Sequence, residues 1–279
     1  MKRWGNVLTH GFLALFTLAT LYPLLLVLKI AFSPGKGVSS SPGVIPDEFT
    51  LDHFREVVGT TDSQGGWLFG QQLWNSVVIS VATTFVGIFI ACTAAYAFSR
   101  FTFTGRRAGL VAFLVSQMFP GVMMMIPLYI LIGNLGLLDN QLGLILVYST
   151  TAIPFCVWML KGYFDTIPKE LEESAIIDGA SRFTVFWRII MPLSAPAVAV
   201  TALFSFMTAW NEFILAFTFM NKPESFTLPV TIQRYVGEHD IQWPLIAAAS
   251  VLVSIPVMTL FFALQKYLVG GLTAGAVKG

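Results

Sequence analysis

The sequence predicts an all-α integral membrane protein with six transmembrane helices and both termini in the cytoplasm. Of its 279 residues, 56% are apolar and only 11% are charged, and the mean hydropathy is +0.75. These values exclude an ordinary soluble domain. The net charge of +1 gives no reason to expect a nucleic acid as partner.

Six apolar segments are long enough to cross a bilayer. An apolar helix needs about 20 residues to cross roughly 30 Å of hydrocarbon, because each residue rises about 1.5 Å. The segments are Val7 to Ile30, Leu73 to Phe98, Ala108 to Ile132, Leu142 to Leu160, Ala197 to Met220 and Leu245 to Leu268. The first exceeds the roughly 7 to 15 apolar residues of a cleaved signal, so we expect a retained anchor.

The distribution of basic residues predicts the orientation. Lysine and arginine accumulate on the cytoplasmic side of a membrane. Eleven of the sixteen lie on one side of the six segments: Lys2, Arg3, Arg100, Arg106, Arg107, Lys161, Lys169, Arg182, Arg188, Lys266 and Lys278. That side is expected to be cytoplasmic, and the segments Val38 to Trp67 and Asn221 to Pro244 are expected to be external loops.

Prolines inside the apolar segments predict kinks. Pro120 and Pro127 lie in the third segment, Pro154 in the fourth and Pro256 in the sixth. A proline removes a backbone donor, which a membrane tolerates where neighbouring helices or a water-filled path satisfy the free carbonyl. Ordinary transmembrane proline content explains the pattern as well.

The stretch Thr166 to Pro192 is too polar to enter lipid and predicts two short helices joined at Gly179. Thr166 or its neighbour is expected to cap the first helix, with Pro168 in its first turn. Gly179 is expected to end this helix in a left-handed conformation, and Ser181 to cap the second. On these residues alone, an amphipathic connector at the membrane surface is the favoured interpretation.

We call the stretch Thr166 to Pro192 the elbow. A resemblance to a known family favours a more specific role for it. Glu173, Ser174 and Ala175, then Gly179 after three positions, and Ile189 to Pro192 after nine more, resemble the EAA signature of permeases in binding-protein-dependent importers. Ser174 and Met191 depart from the usual pattern. The resemblance implies the type I fold of ATP-driven (ABC) importer permeases and a first helix seated in a cleft of a cytoplasmic ATPase. The implied coupling residues are Glu172, Glu173, Ser174, Ala175, Asp178, Gly179 and Pro192.

Three further stretches resemble the sugar-importing branch, and especially the smaller, MalG-type permease of maltose, maltodextrin and trehalose systems. They are CTAAYAFSRFTFTGR at Cys92 to Arg106, QMFPGVMMMIPLY at Gln117 to Tyr129, and YLVGGLTAGAVKG at Tyr267 to Gly279. The resemblance implies that the tail contacts the ATPase through Gly271, Thr273, Gly275 and Lys278.

The resemblance also implies the organisation and partners of the chain. Residues 1–72 form an anchor helix and external loop, 73–270 the transporter core with the elbow at 166–192, and 271–279 a cytoplasmic tail. The implied partners are a second, larger MalF-type permease, an ATPase homodimer that binds ATP and magnesium, and an extracytoplasmic sugar-binding protein. This chain would bind no cofactor itself and would lie in the inner membrane of a prokaryote.

Glu212 is the exceptional charge inside the apolar segments. An ionisable group at that depth is costly, so it should face the bundle interior, a water path or a cation. With Trp210, Asn211 and Tyr129 it could contact a sugar, but Glu212 could equally lock two helices together or lie near the outer interface.

The second external loop contains Arg234, Tyr235 and His239. The resemblance implies that this loop docks on the sugar-binding protein, whereas such loops commonly only close a helical hairpin. His239 has no second ligand at metal spacing, and we predict no metal site.

Two other functional classes are less consistent with the sequence. An ion-coupled carrier for sugar would show inverted repeats and several acidic groups inside the membrane, and we find one such carboxylate and no convincing repeat. A membrane enzyme would need a catalytic motif, but HExxH, GxSxG and the Walker A spacing are all missing. We therefore expect a transporter subunit, with ATP hydrolysed on a separate chain.

Overall fold

The computed structural model describes residues 2–35, 37, 43–237 and 240–276, and the chain is built from helices. In order they are α1 (Lys2–Phe32), α2 (Asp52–Val58), α3 (Leu68–Arg100), α4 (Arg106–Met118), α5 (Gly121–Asn134), α6 (Gln141–Phe164), α7 (Glu170–Ile177), α8 (Arg182–Val185), α9 (Met191–Leu193), α10 (Ala195–Trp210), α11 (Ile214–Phe219), α12 (Leu228–Gln233) and α13 (Trp243–Ala276). A π-helical turn, Phe186–Ile190, joins α8 to α9.

Four single helices are long and apolar enough to cross a membrane, and they confirm four predicted segments. These helices are α1, α3, α6 and α13. Pro23, Pro154 and Pro256 lie inside three of them.

The third predicted segment is not one kinked helix but two helices, α4 and α5, that meet at an angle of 100°. Phe119 and Pro120 between them are both extended, with ψ of 126° and 122°. The residue before a proline is driven out of the helical region, so the break at Pro120 is much sharper than the predicted kink. A second bend, of 77°, separates Arg182–Leu193 from α10.

The fifth predicted segment, Ala197 to Met220, is also broken, and the prediction of one continuous span is wrong there. Helix α10 ends at Trp210, the chain turns through residues 211–213, and α11 starts at Ile214. If each bent pair counts as one span, the described residues contain up to six spans, and otherwise four.

The chain forms two compact units. The described residues of Met1–Gly70 and Thr231–Ile255 make up the first. There the Lys29 ammonium donates to the Gly43 carbonyl at 2.6 Å, and the Phe32 and Phe54 rings lie 4.8 Å apart.

The second unit holds the described residues of Gln71–Val230 and Pro256–Gly279, and α6 runs through its core. One buried apolar cluster surrounds the end of α6 near the elbow and includes Cys92, Cys156, Phe164 and Ile190. A second cluster surrounds the start of α6. The unit therefore has a packed core beneath the elbow and another at the opposite end of α6.

Candidate functional site

The elbow has the predicted backbone at its glycine. Gly179 adopts φ of +87°, the left-handed region that favours glycine. The Gly179 and Ala180 amides donate to the carbonyls of Ile176 and Ala175 at 3.0 and 2.9 Å, which closes the end of α7.

Of the two helix caps predicted in the elbow, the structure has one and lacks the other. The Ser181 hydroxyl accepts from the Thr184 amide at 3.2 Å, as predicted. The predicted cap at Thr166 is wrong, because its hydroxyl donates to the Tyr163 carbonyl instead. Lys169 precedes α7 and makes no side-chain cap.

Glu172 fastens α7 to the end of α3. Its side chain is buried, with the residue only 7% exposed. One carboxylate oxygen accepts from the Arg100 Nε, and the other accepts from the Tyr96 hydroxyl at 2.8 Å. Arg100 also donates through Nη2 to the Ile167 carbonyl at 2.9 Å. The Glu172 carboxylate is thus bonded to two residues of its own chain.

Asp165, directly after α6, makes a second connection to the end of α3. It accepts from the Ser99 hydroxyl at 2.6 Å and from the Lys161 ammonium at 2.5 Å. Burial raises the pKa of Asp165, but the hydrogen bonds from Lys161 and Ser99 outweigh it, and the pKa lies below its ordinary value. Fixed polar contacts at Asp165 and Glu172 therefore hold the start of the elbow and of its first helix.

The opposite face of α7 is open. Glu173, Ser174 and Asp178 are exposed, and Ala175 is half-buried. Ile177 is 85% exposed at the tip of the helix. The tip is therefore an apolar knob flanked by carboxylates, a surface suited to a protein partner. Pro192, the last residue of the signature, is exposed on α9.

Glu212 lies at the break between α10 and α11 and joins α11 to α6. Its Oε2 accepts from the Tyr148 hydroxyl at 2.5 Å and from the Ala216 amide at 3.1 Å, and its Oε1 accepts from the Leu215 amide at 2.9 Å. The carboxylate therefore satisfies free amides at the start of α11 and supplies the helix lock that was one interpretation of the sequence.

Of the other residues predicted to line a substrate path, one is buried and two are exposed. Trp210 is 1% exposed and stacks on Phe206 at 5.4 Å, so its ring does not offer a face to a sugar. Asn211 is exposed, with its amide donating to the Met207 carbonyl at 2.8 Å. Tyr129 is also exposed on α5.

The remaining predicted sites are only partly described. Arg234 and Tyr235 form the turn after α12, and burial raises the pKa of Tyr235. Gly271, Thr273 and Gly275 continue the backbone of α13. His239 and Lys278 lie outside the described residues. Within the described part of the chain, no three His, Cys, Asp or Glu side chains come together as metal ligands.

Sequence reasoning missed a polar cluster at the other end of α3. The Asn75 amide donates to the carbonyls of Glu224 and Phe226 at 2.7 and 3.1 Å. Gln72 donates to the Pro223 carbonyl at 2.9 Å. The sequence contains a local signal for this cluster, because polar side chains at helical spacing lie at the start of an otherwise apolar helix, namely Gln72, Asn75 and Ser76.

The bundle of apolar helices with a fixed polar elbow defines a membrane permease subunit. Residues 84–273 match the family of binding-protein-dependent transport system inner membrane components, and the chain belongs to that family. It is 40% identical to the galactooligosaccharides transport system permease of Bacillus subtilis, covering 100% of this chain and 98% of that one. It is 35% identical to the maltodextrin transport system permease of the same organism, covering 99% and 97%.

Solved structures share the fold. A bacterial transporter that imports the acidic polysaccharide alginate gives a TM-score of 0.79 at 24% identity, covering 95% of this chain and 97% of that one. A second alginate transporter structure, in complex with a periplasmic protein bound to an alginate pentasaccharide, gives 0.67 at 15% identity and covers 95% and 96%.

Family membership establishes the general function. The chain is a multi-pass inner-membrane permease of the sugar ABC importer family, and it is a transporter subunit rather than an enzyme. The hydrolysis of ATP belongs to a separate chain.

Proposed function

We propose that this chain is the smaller of two permeases in an importer for malto-oligosaccharide-type sugars, namely maltose, maltodextrin or trehalose. It pairs with a larger, MalF-type permease above an ATPase homodimer, which binds ATP and magnesium. A sugar-binding protein docks from outside. The observation that carries the proposal is the elbow, whose left-handed Gly179 ends a short helix with an exposed tip and a fastened base.

In the membrane, we assign α4 and α5 to one span and α10 and α11 to another, which gives six spans together with α1, α3, α6 and α13. The excess of Lys and Arg on one side supports a cytoplasmic location for both termini and for the elbow. Residues 1–72 are the anchor and external loop, 73–270 the transport core, and 271–279 the cytoplasmic tail.

The two faces of α7 then have different tasks. Glu173, Ser174 and Asp178 contact the ATPase together with the apolar tip, because they are exposed. Glu172 holds the helix base to α3 from inside, so that a push on the tip moves the spans instead of bending a loop. The tail residues Gly271, Thr273, Gly275 and Lys278 supply a second contact with the ATPase.

On the outer side, Arg234, Tyr235 and His239 contact the binding protein. A solved structure of the same fold in complex with a periplasmic protein supports such a partner. For the sugar itself, Asn211 and Tyr129 are better placed than Trp210 and Glu212, because the first two are exposed.

A galacto-oligosaccharide is the second candidate substrate, since the permease at 40% identity is named for that sugar. Purified complex in liposomes should accumulate radiolabelled maltotriose when its binding protein and ATP are present. Uptake of galactotriose but not of maltotriose would identify galacto-oligosaccharides as the substrate instead. Uptake driven by an ion gradient without ATP would refute an ATP-driven importer.

Gly179 provides a sharper test of the elbow. A Cβ at Gly179 meets nothing within 4 Å, so a substitution strains only the backbone. The left-handed region costs an L-residue about 1 to 2 kcal/mol, and asparagine tolerates it best. We expect Gly179→Val to insert and assemble but to lose coupling between ATP hydrolysis and uptake, while Gly179→Asn retains most of it.

The matched control is Gly162→Val in α6. Gly162 also has open space at its Cβ, but its φ is not positive. Uptake per ATP hydrolysed should fall for Gly179→Val only. Normal coupling in that variant would rule out the elbow as the force-transmitting element.

A further inference from the structure

Helix α3 is hydrogen-bonded at both ends to segments outside the spans. It has no proline and continues without a break from Leu68 to Arg100. From Asn75 to Arg100 it measures about 37 Å, at about 1.5 Å per residue. At one end it holds the segment 221–228, and at the other it holds α7 of the elbow.

The Asn75 side chain uses all of its hydrogen-bonding capacity. It donates to the Glu224 and Phe226 carbonyls, and its Oδ1 accepts from Gln71 and Gln141 at 3.1 and 2.7 Å. It is only 1% exposed. A buried amide with four bonds fixes the position of its partners, because each lost bond would leave an unpaired polar group.

Neighbouring contacts hold the same segment. The Ser76 hydroxyl accepts from the Leu228 amide at 2.7 Å. Asp139 accepts through Oδ1 from the amides of Asn221 and Lys222 at 2.5 and 3.1 Å. The backbone from 221 to 228 is thus attached to α3 and to the turn before α6.

At the other end, Tyr96 and Arg100 both bind the Glu172 carboxylate of α7. Both side chains of the ion pair are almost fully buried, with 5% and 9% exposed. One stiff helix is therefore attached through buried polar side chains to the start of the second external loop and to the base of the elbow.

We propose that α3 transmits the docking of the binding protein to the ATPase, with Asn75 and Arg100 as positioning residues at its two ends. The proposal rests on the proposed function, which places segment 221–228 outside and the elbow in the cytoplasm. A displacement of the segment moves α3 along its axis, because every peptide of an unbroken helix is hydrogen-bonded to the next turn. The elbow then moves with it.

A double-mutant cycle tests this connection. The measurement is the ATPase rate of the complete complex in liposomes with maltose-loaded binding protein, divided by the rate without it. Asn75→Asp replaces a donor with an oxygen that faces two carbonyls, and Arg100→Lys keeps the charge but loses the forked contacts. Each single variant should lower the ratio at least about threefold. The double variant should lower it no further than the more affected single one.

Thr93→Val is the control within the same helix, since the Thr93 hydroxyl bonds only to the carbonyls of Phe89 and Ile90 in α3. Its ratio should equal the wild-type value. If Asn75→Asp does not assemble, Gln72→Leu removes the neighbouring bond to Pro223 and takes its place in the cycle.

Unchanged ratios in both single variants would overturn the proposal. A double-variant loss equal to the product of the two single losses would overturn it as well, because the two ends would then act independently. A wild-type complex that the binding protein does not stimulate would refute the proposed function instead.

Discussion

The carboxylate of Glu212 is predicted to act as a lock between helices and not as a sugar ligand. In the wild type, the Tyr148 hydroxyl and the Ala216 amide both donate to Oε2 of Glu212. In Glu212→Gln, the single side-chain oxygen of the glutamine can still accept both of these hydrogen bonds. The new NH2 group then faces the Leu215 amide, which bonds to Oε1 at 2.9 Å. Two donors oppose each other, and one backbone amide loses its partner.

The cost follows from these contacts. An unpaired buried amide costs about 1 to 3 kcal/mol, and loss of a negative charge at a helix start costs about 0.3 to 1 kcal/mol. We therefore expect a loss of about 2 kcal/mol in stability. Tyr148→Phe should cost a similar amount, because it removes a hydrogen bond to a charged group.

Thermal unfolding of the purified complex measures this loss, and uptake assays with maltotriose and galactotriose measure specificity. Tm should fall by several degrees in Glu212→Gln, while the preference between the two sugars should not change. Tyr163→Phe is a suitable control, because its hydroxyl makes one long bond of 3.2 Å to the Leu193 carbonyl. An altered sugar preference at an unchanged Tm would contradict the lock and favour direct contact.

Three other outcomes are expected from contacts in the same unit. Arg100→Met should destabilise the complex by about 3 to 5 kcal/mol, measured by chemical unfolding, because it leaves the buried Glu172 carboxylate unpaired; a loss below about 1 kcal/mol would contradict this. Gly143→Ala should lower Tm, since the new Cβ would lie 2.3 Å from a backbone oxygen of the turn before α6, at a cost of about 1 to 3 kcal/mol. Gly133→Ala, whose nearest contact is 3.5 Å, should not lower it comparably. The pKa of Asp165 is lowered in the folded protein, so its ionised carboxylate should stabilise the complex at pH values above the ordinary carboxyl pKa. This contribution should be lost as the pH falls through the pKa that Asp165 has in the folded protein. Tm measured as a function of pH should show the loss in the wild type and not in Asp165→Asn.

The sequence predicted features that depend on local chemistry. Four spans follow from composition over about 20 residues. The end of α7 follows from the special φ of glycine at Gly179, and the cap at Ser181 follows from a hydroxyl three residues before an amide. Each of these depends on residues within one or two helical turns.

Features that depend on distant residues were not predictable in this way. The acidic residues of α7 look alike in sequence, yet Glu172 turns inward because Arg100 and Tyr96, more than 70 residues earlier, reach it across the fold. The break after Trp210 was hidden for a related reason. At this turn only two polar residues, Asn211 and Glu212, interrupt the apolar run, and the carboxylate of Glu212 binds the Tyr148 hydroxyl of α6 and an amide of α11 there.

The two cysteines of the chain have a practical consequence. Cys92 and Cys156 are both buried, and the sequence contains no others. A thiol introduced at an exposed position would therefore be the preferred target of a water-soluble maleimide, without prior removal of the native sulfur atoms. Ile177→Cys on the apolar tip would report, by loss of labelling, whether a second protein covers that surface.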